Sequence, residues 1–136
     1  MGRREVYGTS GTRPILRFFG GDYADDLCDS ADLAHQGYAR GVPMGGELGP
    51  LNKKKSPSFA VMAMKDPGAP GAPSTPLQRI QIIKGWVDDK GLFHQEVHDV
   101  AGDAGNGAGV DPLTCTAHGT GARSLCATWS DPDFDP

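Results

Sequence analysis

The amino-acid sequence predicts a mostly β fold, a sandwich-like antiparallel sheet of about five strands joined by long Gly- and Pro-rich loops. Three observations support this prediction. Several short segments alternate apolar and polar side chains, which is the pattern of strands. The chain holds 20 glycines and 11 prolines among 136 residues, nearly a quarter of the total. Finally, residues 88–91, Asp-Asp-Lys-Gly, form a turn signal between two alternating segments.

The length and net charge of the chain limit the classes of protein to which it can belong. A length of 136 residues fits a single domain, 1–136, with a modest core. The formal net charge of −4 argues against general nucleic-acid binding, because that function requires a basic face. No apolar run reaches the length of a membrane span, and no signal peptide is expected because residues 1–5 lead into a strand-like segment and not into an apolar core.

The first strand is predicted at residues 15–19, Ile-Leu-Arg-Phe-Phe, which offers two usable faces. A Gly-Thr-Ser-Gly turn at 8–11 precedes it, and two glycines end it. In the acidic stretch that follows, we expect a short helix at 31–36, capped by Ser30 and ended by Gly37.

The next strand is predicted at residues 59–64, Phe-Ala-Val-Met-Ala-Met. Its almost continuous apolar run is typical of a strand that is covered on both faces. Residues 66–76 follow with four prolines. Because proline removes an amide donor and fixes φ, this segment is expected to be a surface connection.

The strongest local signal is a β-hairpin within residues 76–100. Ile80, Ile82 and Trp86 fall on one face of its first arm, and the turn at 88–91 contains a glycine that tolerates positive φ. Since a hairpin alone is marginal in water, we expect this face to pack against other strands. The last strand is predicted at 124–129.

The three cysteines suggest one disulfide. Cys115 and Cys126 bracket a Gly-rich loop, and a bridge between them would close a loop of about ten residues and stabilise the fold by roughly 3 kcal/mol. Two buried thiols are the alternative. Cys28 is left over, as a free thiol or with a partner outside this chain. Metal ligation is disfavoured because no Cys-x-x-Cys motif or Cys/His cluster surrounds them.

The histidines do not predict a metal site. His94 and His98 would share a metal ion on a helix, but on a strand the same spacing separates them by about 13 Å. Because the strand is better supported, we interpret them as solvated side chains on a polar face. His35 and His118 fall in predicted loops without a partner at a diagnostic spacing.

The acidic residues give only weak signals. Asp131, Asp133 and Asp135 resemble the opening of a calcium loop, but the glycine and glutamate that complete such a loop are missing. The aspartates between Asp22 and Asp32 could bind a hard cation, although such a cluster is more often a solvated loop.

No set of residues forms a self-sufficient active site. Ser10 lacks the Gly-x-Ser-x-Gly frame of a nucleophile elbow and precedes its strand, although the turn could present amides and hydroxyls to an anion. Lys53, Lys54 and Lys55 are most simply a charged loop tip. We therefore predict neither a catalytic residue nor a metal ligand in this chain.

Five segments together resemble one bacterial protein family. They are RREVYGTSGTRPILRFFGG, GYARGVPMGGEL, PSFAVMAMKDPG, PSTPLQRIQIIKGWVDDKG and LCATWSDPDFDP. In this order they cover nearly the whole chain, which is thus similar to the C-terminal part of the domain-of-unknown-function family numbered three-six-zero-four. Full members of this family are much longer. They resemble metal-dependent phosphoesterases of the polymerase-and-histidinol-phosphatase type, and most look exported.

The resemblance implies that the chain is a fragment and an incomplete domain. The family's His-x-His and Asp-x-His motifs would precede it, so a divalent metal is expected in the missing N-terminal domain and no cofactor in this chain. By analogy, Thr9, Ser10 and Arg13 edge the substrate entrance of the intact protein; a structural turn is the alternative. The resemblance also offers Cys28 a partner beyond the end of this chain.

The function expected from this resemblance is that of an accessory C-terminal β domain, non-catalytic on its own, in a metal-dependent phosphoesterase-like hydrolase. Its partner would be the N-terminal catalytic domain, in the periplasm or outside the cell. The alternative is a free-standing extracellular binding or adhesion module whose Gly/Pro-rich loops form the contact surface.

Overall fold

The computed structural model describes residues 2–49 and 56–134. Lys53, Lys54, Lys55 and Asp135, which were considered from the sequence, lie outside these residues. The elements in chain order are β1 (Ile15–Gly21), a 3₁₀ helix (Asp25–Asp29), α1 (Leu33–Arg40), β2 (Gly41–Pro43), β3 (Ser58–Met64), β4 (Arg79–Val87), β5 (Phe93–Gly102), β6 (Gly109–Val110), β7 (Ala117–His118) and β8 (Ser124–Ser130).

An antiparallel sheet with the strand order β2-β1-β3-β8 forms the middle layer. Strand β3 lies between β1 and β8 along its full length, from Ile15↔Met64 on one side to Ser58↔Ser130 on the other. Its residues Ala60 and Val61, which point to opposite faces, are both buried. The prediction of a doubly covered strand at 59–64 is therefore confirmed.

The helical layer covers one face of this sheet. Phe19 and Ala60 pack there against Tyr23, Leu27 and Leu33. The Tyr23 hydroxyl donates a hydrogen bond to the carbonyl of residue 37 (2.9 Å), and burial raises the pKa of this phenol. The helices are thus tied to the sheet by both apolar packing and a buried polar contact.

The helix predicted at 31–36 was placed wrongly. Gly37 does not end it, because α1 continues to Arg40 and Gly37 lies inside. A Cβ atom at this glycine would stand only 2.6 Å from the ring of Phe19, so glycine serves the close approach of helix and sheet. Ser30 is not the cap either: its hydroxyl accepts a hydrogen bond from the Asp32 amide (3.2 Å) before the helix begins.

The hairpin β4–β5 covers the other face of the sheet. Its arms pair from Arg79↔Gly102 to Val87↔Phe93, and Gly91 in the turn has a φ of 78°. Ile80 is buried against Val61 and Ala63, with Ile82 at the edge of the same cluster. The hairpin prediction is confirmed, but its apolar face is only partly covered, since Trp86 remains 42% exposed.

The predicted fold class is confirmed: the protein is mostly β, antiparallel and sandwich-like. Strands β1, β3, β4, β5 and β8 have seven residues or more, whereas β2, β6 and β7 have two or three. The sequence predicted the long strands. The short strands were not predicted, because two or three residues are too few to show an alternating pattern.

The predicted disulfide Cys115–Cys126 is wrong, as is the expectation that Cys28 needs a partner elsewhere. Cys126 is bonded to Cys28 (Cα–Cα 5.8 Å), and Cys115 is an exposed free thiol. Strand β8 presents Cys126 to the helical face of the sheet, where the 3₁₀ helix brings Cys28. Proximity along the chain favoured Cys115, but the tertiary packing decides the pairing.

Within residues 2–49 and 56–134, no helix combines the length and apolar character needed to cross a membrane.

Candidate functional site

A groove with a volume of about 890 Å³ lies between the first arm of the hairpin and the sheet. Both tryptophans of the chain line it. The aromatic side chains in its wall are Phe18, Phe59, Trp86, Trp129 and Phe134. Its size falls in the range typical of small-molecule sites, roughly 300–1,000 Å³.

The floor of the groove is a row of aromatic rings that crosses the sheet. The ring centroids of Phe18 and Phe59 are 5.8 Å apart, those of Phe59 and Trp129 5.9 Å, and those of Trp129 and His98 4.7 Å. The register explains the row, because Phe59 and Trp129 face each other on adjacent antiparallel strands. Three strands of the sheet thus supply the aromatic rings of the floor, and His98 of the hairpin packs against Trp129 from outside the groove lining.

The opposite wall is organised by Asp88 at the hairpin turn. Its Oδ1 accepts hydrogen bonds from the amides of Lys90 and Leu92 (both 2.9 Å), and its Oδ2 lies 2.9 Å from His94 Nε2. The contacts with His94 and Leu92 are the main reasons that the pKa of Asp88 is lowered. The His94 ring stacks on Trp86 at 5.3 Å and so fixes one side of the indole.

An ion pair joins the two walls. Lys84 Nζ lies 2.7 Å from Asp131 Oδ2, and the Asp131 side chain is only 7% exposed. The same ammonium lies 5.2 Å from the centre of the Trp86 ring, a cation–π contact. Asp131 therefore acts as the partner of a lysine, in place of the calcium role considered from the sequence.

The groove carries an excess of negative charge. Lys84 is the cation in its lining, whereas five carboxylates line it: Asp88, Asp89, Glu96, Asp131 and Asp133. This local excess equals the formal net charge of the whole chain, −4. The groove therefore attracts cations and repels anions over the screening length of the solution, about 8–10 Å.

The histidines are held by separate partners. His94 pairs with Asp88, while His98 lies 3.5 Å from Glu96 and packs on Trp129. The interpretation of both histidines as solvated side chains agrees with the exposure of His94. It is wrong for His98, which is half-buried. Among the described residues, no group of three or more His, Cys, Asp or Glu side chains is arranged to hold a metal ion.

The predicted entrance residues Thr9, Ser10 and Arg13 are exposed and lie away from the groove. Hydrogen bonds from the Gly68 amide and then the Arg13 amide lower the pKa of Asp66, and the Arg13 amide lies 2.8 Å from Asp66 Oδ2. This contact ties the segment to the end of the sheet where β1 begins, whereas the groove opens near the end of β1. Their assignment to a substrate entrance stays a prediction.

The outer face of the hairpin is a second surface feature. Ile83 pairs with Val97, and Val87 pairs with Phe93 on the same face. These side chains are 67%, 50%, 54% and 89% exposed, in that order. We call these four residues the outer apolar stripe.

Sequence reasoning missed both the groove and this stripe. The available signal was the alternation in 80–87, which gives two faces, one with Ile82 and Trp86 and one with Ile83 and Val87. A strand with apolar residues on both faces must either be covered twice or leave one face exposed. Which of these occurs depends on tertiary packing.

Fold and site define the class of this protein: a disulfide-linked, mostly β domain with an acidic, aromatic groove. The family model described as "Protein of unknown function (DUF3604)" matches residues 1–136, so the chain belongs to that family. No curated protein and no solved structure matches the chain.

Proposed function

We propose that this domain is the accessory, non-catalytic part of a metal-dependent hydrolase of phosphate esters and that it closes one side of a separate catalytic domain. The outer apolar stripe is the observation that carries the proposal. Monomeric proteins seldom expose contiguous apolar patches beyond a few hundred Å², and such patches mark interaction surfaces. Two cross-strand pairs of exposed Ile, Val and Phe, with the Gly85–Gln95 pair between them on the same face, suit an interdomain contact.

The proposed partner is the N-terminal domain of the same protein, which would hold a divalent metal through the His-x-His and Asp-x-His motifs of the resemblance. The proposal assigns no metal ligand to this chain and no nucleic-acid partner, consistent with its net charge of −4. The disulfide supports placement in an oxidising compartment, the periplasm or the exterior of the cell.

Docking can be tested on the stripe itself. The in-frame DNA upstream should encode the two metal motifs, and the segment it encodes should co-purify with this chain. We expect Phe93→Ser, together with Ile83→Thr, to weaken that association at least about tenfold, the effect of about 1.4 kcal/mol.

The matched control is Leu113→Ser, which removes an equally exposed apolar side chain (93%) elsewhere on the surface. An upstream segment without metal motifs would overturn the proposal, as would association that the stripe variants leave unchanged.

The catalytic part of the proposal has its own assay. The chain alone should show no turnover of phosphomonoesters or phosphodiesters with added manganese or zinc. Robust turnover by the purified chain, lost on chelation of the metal, would overturn the non-catalytic role.

A free-standing extracellular binding module is the second candidate, and the groove favours it. In that case the purified chain should be a stable, monodisperse monomer that melts in one cooperative step. Concentration-dependent self-association, relieved by the stripe variants, would instead support the accessory domain.

A further inference from the structure

We propose that the groove between the hairpin and the sheet binds a small organic cation, an ammonium or quaternary ammonium group on a compact apolar body. The inference goes beyond the accessory role and rests on the aromatic faces and carboxylates of the groove. Ile83 and Val87 of the outer apolar stripe also line the groove, whereas Phe93 and Val97 do not. The two can therefore fail separately, one in ligand titrations and the other in co-purification.

The first argument is the chemistry of the surface. The faces of aromatic rings carry partial negative charge, so they attract cations as well as apolar groups. The groove offers such faces on Trp129 and Phe59 in its floor, whereas Trp86 in the opposite wall already contacts the His94 ring and the Lys84 ammonium. A large, weakly hydrated cation loses little hydration free energy when it leaves water, so its contact with these ring faces favours binding.

The second argument is charge complementarity. Asp89 and Asp133 are exposed on the groove, and their carboxylates make no hydrogen bond or ion pair with the residues that the structure describes. Neither is consumed by the turn or by Lys84, unlike Asp88 and Asp131. Two uncommitted carboxylates beside aromatic faces complement a positive ligand.

The third argument comes from the protein's own ammonium. Lys84 Nζ is already placed over Trp86 while it pairs with Asp131. The groove wall thus stabilises one ammonium group by the two contacts that the ligand would use, an aromatic face and a carboxylate. Asp89 and Asp133 add two carboxylates to the same groove without a cation of their own.

The same observations argue against two other ligands. A phosphate ester would meet five carboxylates and a lysine that is already paired, so the groove is unsuited to the anionic substrates of the proposed hydrolase. A neutral sugar could stack on Trp129 or Trp86, but the carboxylates of the groove would add no Coulombic attraction to its binding. The charge decides in favour of the cation.

Because both tryptophans of the chain line the groove, intrinsic fluorescence reports its occupancy directly. Choline chloride is the probe, and dimethylbutanol, in which carbon replaces the ammonium nitrogen, is its uncharged isostere. We expect saturable quenching by choline with an affinity at least about tenfold above that of the isostere. Raising the ionic strength should weaken choline binding and leave the isostere unchanged.

The double variant Asp89→Asn/Asp133→Asn should reduce choline affinity at least about fivefold, since it removes two attractive charges from the rim. Asp26→Asn/Asp29→Asn is the matched control: it makes the same change in net charge on exposed aspartates of the helical layer, across the sheet from the groove. Its choline affinity should equal that of the parent chain.

Four outcomes would overturn the inference: no saturable response to choline, equal affinity for the isostere, equal loss in the control variant, or stronger binding of cellobiose or inorganic phosphate. Ligand-observed NMR of the choline methyl signal repeats the titration without relying on tryptophan. Absence of saturable binding there also counts against the inference.

Discussion

At the scale of single residues, Asp88 shows how one side chain shapes both a turn and a wall of the groove. Its carboxylate accepts two backbone hydrogen bonds and pairs with His94, and these contacts lower its pKa. A carboxyl group whose folded pKa is depressed contributes stability that is present above its unfolded pKa, near 3.9, and lost as the pH falls through the lower folded value.

We therefore expect Asp88→Asn to lower the melting temperature at pH 6 and the difference from the parent chain to shrink as the pH falls below about 4. Asp89→Asn, one residue along, is the matched control at pH 6, because it removes a carboxylate that makes no hydrogen bond or ion pair with the described residues. Melting curves between pH 2.5 and about 7 test both. A difference that persists at the acid end would contradict this explanation.

Position 37 requires glycine because the Phe19 ring packs directly against it, and not because the backbone turns there. A Cβ atom would lie 2.6 Å from the Phe19 ring, so Gly37→Ala should destabilise the fold by about 1–3 kcal/mol despite the better helix propensity of alanine. Gly85→Ala is the control, since its nearest atom would be 3.8 Å away. Urea unfolding measures both; a Gly37→Ala variant as stable as the parent would show that the helix can move away.

At the scale of elements, the disulfide joins the 3₁₀ helix to β8 and so fastens the helical layer to the sheet. Closure of a loop this long (sequence separation 98) predicts a loss of about 2–4 kcal/mol when both cysteines are replaced by serine. Cys115→Ser should have almost no effect, because this thiol is free and exposed. Thermal unfolding with and without a reductant distinguishes the two; a greater loss from Cys115→Ser would reverse the pairing.

Elements were largely predictable where the sequence has a period. Alternating side chains and the turn sequence Asp-Asp-Lys-Gly predict the hairpin, and an unbroken apolar run predicts β3. The end of α1 was not predictable, because glycine commonly stops helices and nothing local reveals that Phe19 lies against it. The disulfide failed for the same reason, since its partners are brought together by packing across the sheet.

At the scale of the whole molecule, Lys84 and Asp131 hold the hairpin against the sheet. Lys84→Met would leave the Asp131 carboxylate nearly buried without its cation, which should cost about 3 kcal/mol or more. The double variant Lys84→Met/Asp131→Asn should recover much of that loss. Chemical denaturation measures the free energies of unfolding; a double variant as unstable as the single one would rule out this origin of the effect.

The candidate site was the least predictable feature, because it is assembled from segments far apart in the chain. Phe18, Phe59 and Trp129 come from three strands, and only their register makes them a row. Each looks like an ordinary core residue in its own strand. The sequence does show carboxylates at 88–89 and at 131–133. It does not reveal that these two distant segments of the chain line the same groove.

The loop closed by the bond between Cys28 and Cys126 contains strands β2 to β7 and the proline-rich connection at 66–76. A protease that cut that exposed connection would therefore yield two pieces still covalently joined, migrating as one species until a thiol was added. In an environment rich in proteases, the domain would keep its fragments together after such a nick.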